Sequence, residues 1–307
     1  MSLKEVKNKI RSIKKIHQVT KAMEAVSAAK MRRSQYAAIE ARPFALSAIG
    51  VLRRLVQRGE ARSHPLVQDR GTIRKVLMVV VTSDRGLAGS LNGCVLRAVY
   101  THLKKKGISN DAVDILAVGK KGYEHFSRRG FTIIDHVERW GEGVASDDPD
   151  TLARRLITEY RAGTYDRVYV AYSNFMSTFN QEPVVRRVLP ISFAALEDVL
   201  GGIVPERGKY SELKEVALVE SAEEYVYEPG SQVVLDELLP YLVGVLLYHA
   251  VLEANASEHS ARMVAMKSAS DRARDVTKEL TLAFNKVRQS AITAEVSEIT
   301  SGIEAIR

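Results

Sequence analysis

The sequence predicts an α/β fold: a central parallel-sheet domain flanked by long N- and C-terminal helices that pair as an antiparallel coiled coil. Three observations lead there. Both ends of the 307-residue chain run for tens of residues without Gly or Pro while apolar residues recur at helical spacing. The middle changes period, with short β-branched runs alternating with helical stretches. Finally, a chain that leaves along one helix and returns along another must set the two antiparallel.

The first element is the N-terminal helix, 1–58. Residues 1–42 contain no Gly or Pro, and Leu3, Val6, Ile10, Ile13, Ile16, Val19, Met23 and Val26 step by three or four. Ser2 with Glu5 three residues on makes a capping box. Pro43 is expected to kink or briefly interrupt the helix before it resumes to about Arg58.

The α/β domain follows at 73–196. "KVLMVVVTS" (75–83) is a continuous apolar run, as in a strand buried on both faces. The turn "DRGLAGSLN", a helix from about Leu91 to Lys106 and the strand "VDILAVG" (113–119) come next. A helix near Lys120–Arg129, the strand "FTIID", a helix near Pro149–Arg161 and the strand "RVYVAYS" (167–173) continue the alternation. Such βαβ units imply a parallel, Rossmann-like sheet. "EPVVRRVLPIS" (182–192) reads as an edge strand, because Pro183 and Pro190 bracket it. Residues 197–230 form a Gly/Pro-punctuated connector and foot, with a strand at "EEYVYEP".

The last element, 231–307, is a second long helix. From Val245 to Ser301 no Gly or Pro occurs, a stretch of about 85 Å at 1.5 Å per residue. Met266, Ala269, Ala273, Val276, Leu280, Ala283 and Val287 step three, four, three, four, a coiled-coil seam partly made of alanine. Met31, Met263 and Met266 supply soft filling for it. Alanine lets backbones approach closely but buries little area, so each helix needs the other.

Composition narrows the function. The best apolar run, "LLPYLVGVLLYHAVL", is short and broken by Pro240 and Gly244, so no bilayer span is expected. The start has periodic charge and no apolar core segment, unlike a secretory signal. Cys94 is the only cysteine, which excludes an internal disulfide, a Cys-built zinc site and a dithiol switch and suits a reducing cytoplasm. Residues 1–33 carry ten Lys/Arg against Glu5 and Glu24, which equals the whole net charge of +8. That is either a solvated face or a helix that meets an acidic partner or nucleic acid.

The motifs argue against catalysis. "SDRGLAGSLN" (83–92) sits where dinucleotide folds place a phosphate loop, but Gly86, Gly89 and Gly93 match neither G-x-G-x-x-G nor the P-loop. It reads as a tight strand-to-helix turn with Ser90 as cap. "GKKG" (119–122) is an ordinary turn composition. There is no H-E-x-x-H and no G-x-S-x-G. The seven histidines are scattered without ligand spacing, His17 reads as a satisfied interface residue and Trp140 as a local anchor. No cofactor or metal is expected.

Taken in order, "SIKKIHQVTKAMEAVSAAKMRRSQ", "SDRGLAGSLN" and "NKVRQSAITAEVSEITSGIEA" closely resemble the gamma subunit of the F-type ATP synthase. The family's C-terminal signature stands here as Ile292, Thr293, Glu295, Glu298 and Gly302, with Ile303 where Ala is usual. The resemblance implies a non-catalytic central rotor shaft. It would stand inside three alpha and three beta subunits, with an epsilon subunit, on the c-ring at the cytoplasmic face of the bacterial inner membrane. It would bind no nucleic acid and would not enter the membrane. It would couple rotation of the proton-driven ring to ATP synthesis or hydrolysis. By the same resemblance Met23 lies beside an acidic loop of the beta subunits. Arg288 and Gln289 meet a catch loop of a beta subunit, with Thr293, Glu295 and Glu298 further along the tip. Tyr225, Tyr227 and Glu228 form the foot on the c-ring. Without the family's inserted cysteine pair, the chain is expected to be bacterial and thiol-insensitive. The competing readings are a nucleotide-dependent α/β enzyme and a basic coiled-coil nucleic-acid-binding protein; the latter lacks aromatic interleaving and a reader motif.

Overall fold

The computed structural model describes residues 3–57, 64–138, 147–191, 228 and 230–306. Ser2, Trp140, Tyr225, Tyr227 and the expected strand at "EEYVYEP", apart from Glu228, lie outside them. The elements in order are α1 (Leu3–Gln57), β1 (Val76–Val81), α2 (Leu91–Lys106), β2 (Val113–Val118), α3 (Lys120–Ser127), β3 (Thr132–Val137), α4 (Asp147–Arg161), β4 (Arg167–Phe175), β5 (Gln181–Leu189) and α5 (Ser231–Ile306). A 3₁₀ turn at Asn110–Ala112 leads into β2. Residues 1–27 with 262–307 form one compact unit and residues 28–261 a second, so both long helices contribute to each.

In the second unit the sheet runs β3-β2-β1-β4-β5, with β5 antiparallel at the edge and every other pair parallel. Pro183 lies within β5 opposite Ser173, a place open to proline because an edge strand has one unpaired side. The central strand is buried on both faces, as its unbroken apolar run predicts. Leu77, Val79 and Val81 belong to a core shared with α1, α4 and α5. Val76, Met78 and Val80 belong to a second core under α2 and α3. Alternation along one strand thus supplies two layers.

Two expectations need restating here. The helix α1 passes through Pro43 without a break, so proline removes a donor there without ending the helix. The apolar stretch of α5 contains a window long and apolar enough to cross a membrane by length and composition, despite Pro240 and Gly244 inside the helix. Half of that window is buried, with Leu235, Leu239, Leu242, Val243, Leu246 and Leu247 in the core shared with the sheet. A Cβ at Gly244 would stand 2.7 Å from Asp150 Oδ1, the end of an exposed side chain that can turn aside. His64 ties the segment before β1 to α5. Its Nδ1 accepts from the Leu66 N–H, so Nε2 carries the hydrogen it donates to Asp236 at 3.0 Å.

The first unit is held by a thin seam. His17 Nδ1 lies 3.0 Å from the Ser270 carbonyl and 2.9 Å from its hydroxyl; a carbonyl can only accept, so Nδ1 is the protonated nitrogen. Burial along α1 falls on Val6, Ile10, Ile13, His17, Thr20, Glu24 and Ser27, in steps of four and three. Ile16, Val19 and Val26, expected on the buried side, are instead exposed. The reason is geometric. A seam keeps a mean step of about 3.5 residues, whereas two successive steps of three from Ile13 turn the apolar set about 120° off it. On α5 the seam holds at Met266, Ala269, Ala273, Val276 and Leu280. It then passes to Phe284, leaving the expected Ala283 exposed, and resumes at Val287 and Ala291.

Candidate functional site

The loops at the C-terminal ends of β1 and β2, where α/β folds bind ligands, are closed by their own side chains. After β1, the Ser83 N–H donates to Asn92 Oδ1 at 3.0 Å, Asn92 Nδ2 donates to Ser83 Oγ at 2.7 Å, and Ser83 Oγ donates to the Arg85 carbonyl at 2.7 Å. Ser90 makes no side-chain cap, contrary to expectation; Asn92, two residues on, supplies the polar closure. At α3 the Lys120 N–H donates to Asp84 Oδ1 at 3.0 Å and the Gly122 N–H to Thr82 Oγ1 at 2.8 Å. Helix N-terminal amides are what a phosphate would need, and here a carboxylate and a hydroxyl of the chain already take them. Gly119 has φ +91°, and a Cβ on it would lie 2.0 Å from the Thr82 carbonyl oxygen, so "GKKG" is glycine for packing. Among the described residues no group of three or more His, Cys, Asp or Glu could hold a metal ion.

The remaining candidate surface lies on the long helices. Lys4, Lys7, Lys9, Arg11, Lys14, Lys15, Lys21, Arg32 and Arg33 are exposed, and Lys30 is half-buried. Met23 is half-buried, beside an ion pair of Lys21 Nζ with Glu24 at 3.0 Å. Arg288, Gln289, Thr293, Glu295 and Glu298 are all exposed on α5. Thr293 Oγ1 donates back to the Gln289 backbone carbonyl at 2.9 Å. Gln289 and Thr293 also line a shallow open groove with Lys286, Ser290, Ala294 and Ser297. Glu228 is exposed as well.

One feature escaped the sequence reading. Past Ala291 every described residue to Ile303 is exposed, and Ile292, Val296, Ile299 and Ile303 make an apolar stripe, 51–63% exposed, on one face. Their spacing of four, three and four was present in the sequence, but without a partner helix it reads as seam rather than as surface. With Ile16, Val19 and Val26 on α1, the unit shows water the apolar groups that a self-contained protein would bury.

Comparison with known proteins gives this surface its setting. The family described as ATP synthase matches residues 2–306. The ATP synthase gamma chain of Chloroflexus aurantiacus (strain J-10-fl) is 39% identical over 307 residues, covering 99% of each chain. That of Roseiflexus sp. (strain RS-1) is 40% identical over 306 residues, covering 99% of this chain and 98% of its own. The fold matches a chain in the Euglena gracilis mitochondrial ATP synthase (OSCP/F1/c-ring, rotational state 3) with a TM-score of 0.64 at 20% identity, over 99% of this chain and 94% of that one. It matches another in the Tetrahymena thermophila mitochondrial ATP synthase central stalk and c-ring with a TM-score of 0.57 at 25% identity, over 82% and 99%. Full-length identity of this order, on a fold with long helices at both ends and a sheet whose ligand loops are filled, places the chain in the ATP synthase gamma-chain family.

Proposed function

We propose that the chain is the central rotor shaft of an ATP synthase, coupling rotation of a membrane ring to ATP synthesis and hydrolysis in a hexamer of three alpha and three beta subunits. The observation that carries this reading is the uncovered apolar stripe Ile292–Val296–Ile299–Ile303 at the end of a helix whose family has a hexamer to turn in. The small Ala and Ser positions along the long helices suit a shaft that turns within a sleeve, since large knobs would lock into holes. The exposed cations of α1 suit acidic surroundings, with Met23 beside a beta subunit's acidic loop. Arg288 and Gln289 would engage a catch loop of one beta subunit, with Thr293, Glu295 and Glu298 along the same tip. Tyr225, Tyr227 and Glu228 would form the foot on the c-ring, and an epsilon subunit would complete the rotor. In this reading helices 1–58 and 231–307 are shaft, 73–196 the body and 197–230 connector and foot.

The shaft is non-catalytic in this reading, which the self-closed loops at Ser83–Asn92 and Asp84–Lys120 support. It acts by contacting the three beta subunits unequally, so each rotary position favours a different conformation at each site. The complex would lie at the cytoplasmic face of the bacterial inner membrane, with this chain peripheral. The test is reconstitution with alpha and beta subunits, a bead on this chain and ATP. Stepwise rotation that depends on the chain is expected; a hexamer whose ATPase and order are indifferent to it would overturn the reading.

A further inference from the structure

Between α5 and the β4–β5 edge of the sheet lies a polar cluster that neither the fold nor the shaft reading uses. Glu253 of α5 is 4% exposed, and Tyr172 of β4 is fully buried. Arg186 of β5 holds its guanidinium 5.8 Å from the centre of the Tyr172 ring. Neither carboxyl oxygen of Glu253, nor the Tyr172 hydroxyl, nor Arg186 Nη1 has a hydrogen-bond partner among the described residues. Buried polar groups are nearly always paired, so several unpaired ones at one contact between three elements need a reason.

Chemistry supplies one. A carboxylate stripped of water is costly unless paired, whereas the neutral acid is tolerated. Burial is the largest influence on Glu253 and pushes its carboxyl up to about 7; the Tyr172 hydroxyl, which approaches it without a well-formed hydrogen bond, and the Arg186 guanidinium pull the other way. The same burial holds the Tyr172 hydroxyl well above its ordinary value, with the Glu253 charge adding to the rise and Arg186 opposing it. The groups bearing on the site are thus Tyr172 from β4 and Arg186 from β5, with His249 one turn earlier on the same helix, itself fully buried.

We propose that Glu253 is a proton-controlled latch between α5 and the β4–β5 pair: protonated, it rests neutral in the interface, and ionised, it draws the Arg186 guanidinium off the Tyr172 ring into an ion pair. The proton released passes to water. Arg186 is half-buried on the edge strand, with Nη1 turned inward. The effect is felt beyond the pair because α5 grips the same hairpin just downstream. Ser257 Oγ donates to the Ser173 carbonyl at 2.8 Å, and Ser260 Oγ donates to the Thr178 carbonyl at 2.6 Å. Residues 253–260 and 172–186 therefore respond as one contact, whose set point moves with pH near neutrality.

The direction of the linkage follows. The folded carboxyl holds its proton more tightly than the unfolded one, so its contribution to stability is full below the unfolded value of about 4.5. It falls as pH rises toward about 7 and is level above that. The test is isotope-edited infrared spectroscopy of the full chain labelled at the glutamate carboxyls, titrated from about pH 5 to about pH 9. We expect a protonated-carboxyl band that disappears with a midpoint of about 7 and is missing in Glu253→Gln. Arg186→Gln, on an exposed-edge strand and independent of whether Glu253→Gln folds, should raise that midpoint by about one unit, tenfold tighter proton binding. Absence of any carboxyl titrating between about pH 6 and pH 8 in the wild type, or a midpoint unmoved by Arg186→Gln, would overturn the latch.

Discussion

Replacing Ser270 by Leu tests the seam most sharply, because sequence patterning alone would call it an improvement. Ser270 is 3% exposed, and its carbonyl and hydroxyl both face His17 Nδ1. Leu adds bulk where two helix backbones approach over small side chains, an overpacking that costs about 1–3 kcal/mol. It also removes the hydroxyl from His17, leaving the carbonyl contact, for about 0.5–1.5 kcal/mol more. The sum is about 1.5–4.5 kcal/mol, or about 10- to 1,600-fold in the local opening constant at tenfold per 1.4 kcal/mol. Ile16→Ser is the paired control. Ile16 is 53% exposed, so removing its apolar side chain should change local stability by about 0.5 kcal/mol or less. Hydrogen exchange of the amides in 3–27 and 262–291 reads both variants on the free chain. If Ile16→Ser speeds exchange more than Ser270→Leu does, the helices pair through the apolar sequence stripe and the seam described here is wrong.

Further outcomes follow from the same structure. Gly119→Ala should destabilise the α/β domain by about 3 kcal/mol or more in denaturant melts, since φ +91° and a Cβ 2.0 Å from the Thr82 carbonyl leave no strain-free position. Ser257→Ala should cost about 1–3 kcal/mol by the same measurement, because the Ser173 carbonyl loses a buried donor at 2.8 Å. In the assembled complex, Arg288→Ala with Gln289→Ala should leave assembly intact and lower steady-state ATPase about 10- to 100-fold, the loss of charge-assisted contacts worth about 1.5–3 kcal/mol. Arg288→Lys should restore only part of it, because the charge remains and the planar fork is lost.

The sheet was legible in the sequence because its strands are short, apolar and β-branched, and because turn residues punctuate them. β1 and β2 came within a residue or two of their ends, and α2 matched at both. The helices were legible as helices, and the α5 seam held at all but one expected position, but the inner face of α1 was legible only in part. On α1 His17 faces the partner helix as expected, whereas Thr20 and Ser27 are buried and Ile16, Val19 and Val26 point out. Hydrophobic patterning assumes that apolar means inside, and that holds only when the chain supplies its own covering. At Pro43 the expected brief interruption does not occur: proline removes one donor and crowds one carbonyl, and the helix runs on through both. Of the candidate site, Arg288, Gln289, Thr293, Glu295 and Glu298 were reached through family resemblance. Their exposure follows from the helix running on beyond its seam, which no local pattern announces.

Asn92 carries a lesson about what mutation can report. Its amide accepts the Ser83 N–H through Oδ1 and donates to the Ser83 hydroxyl through Nδ2. Asp keeps the acceptor and loses the donor, Ser and Ala lose reach, and Gln is one methylene too long for the same loop. Only one of the twenty side chains meets both demands at that distance. A survey of substitutions would therefore find position 92 as intolerant as a catalytic residue, in a loop placed where other folds hold phosphate. The cause would be internal: the residue satisfies the chain's own backbone, and intolerance there measures the closing of a cleft rather than its use.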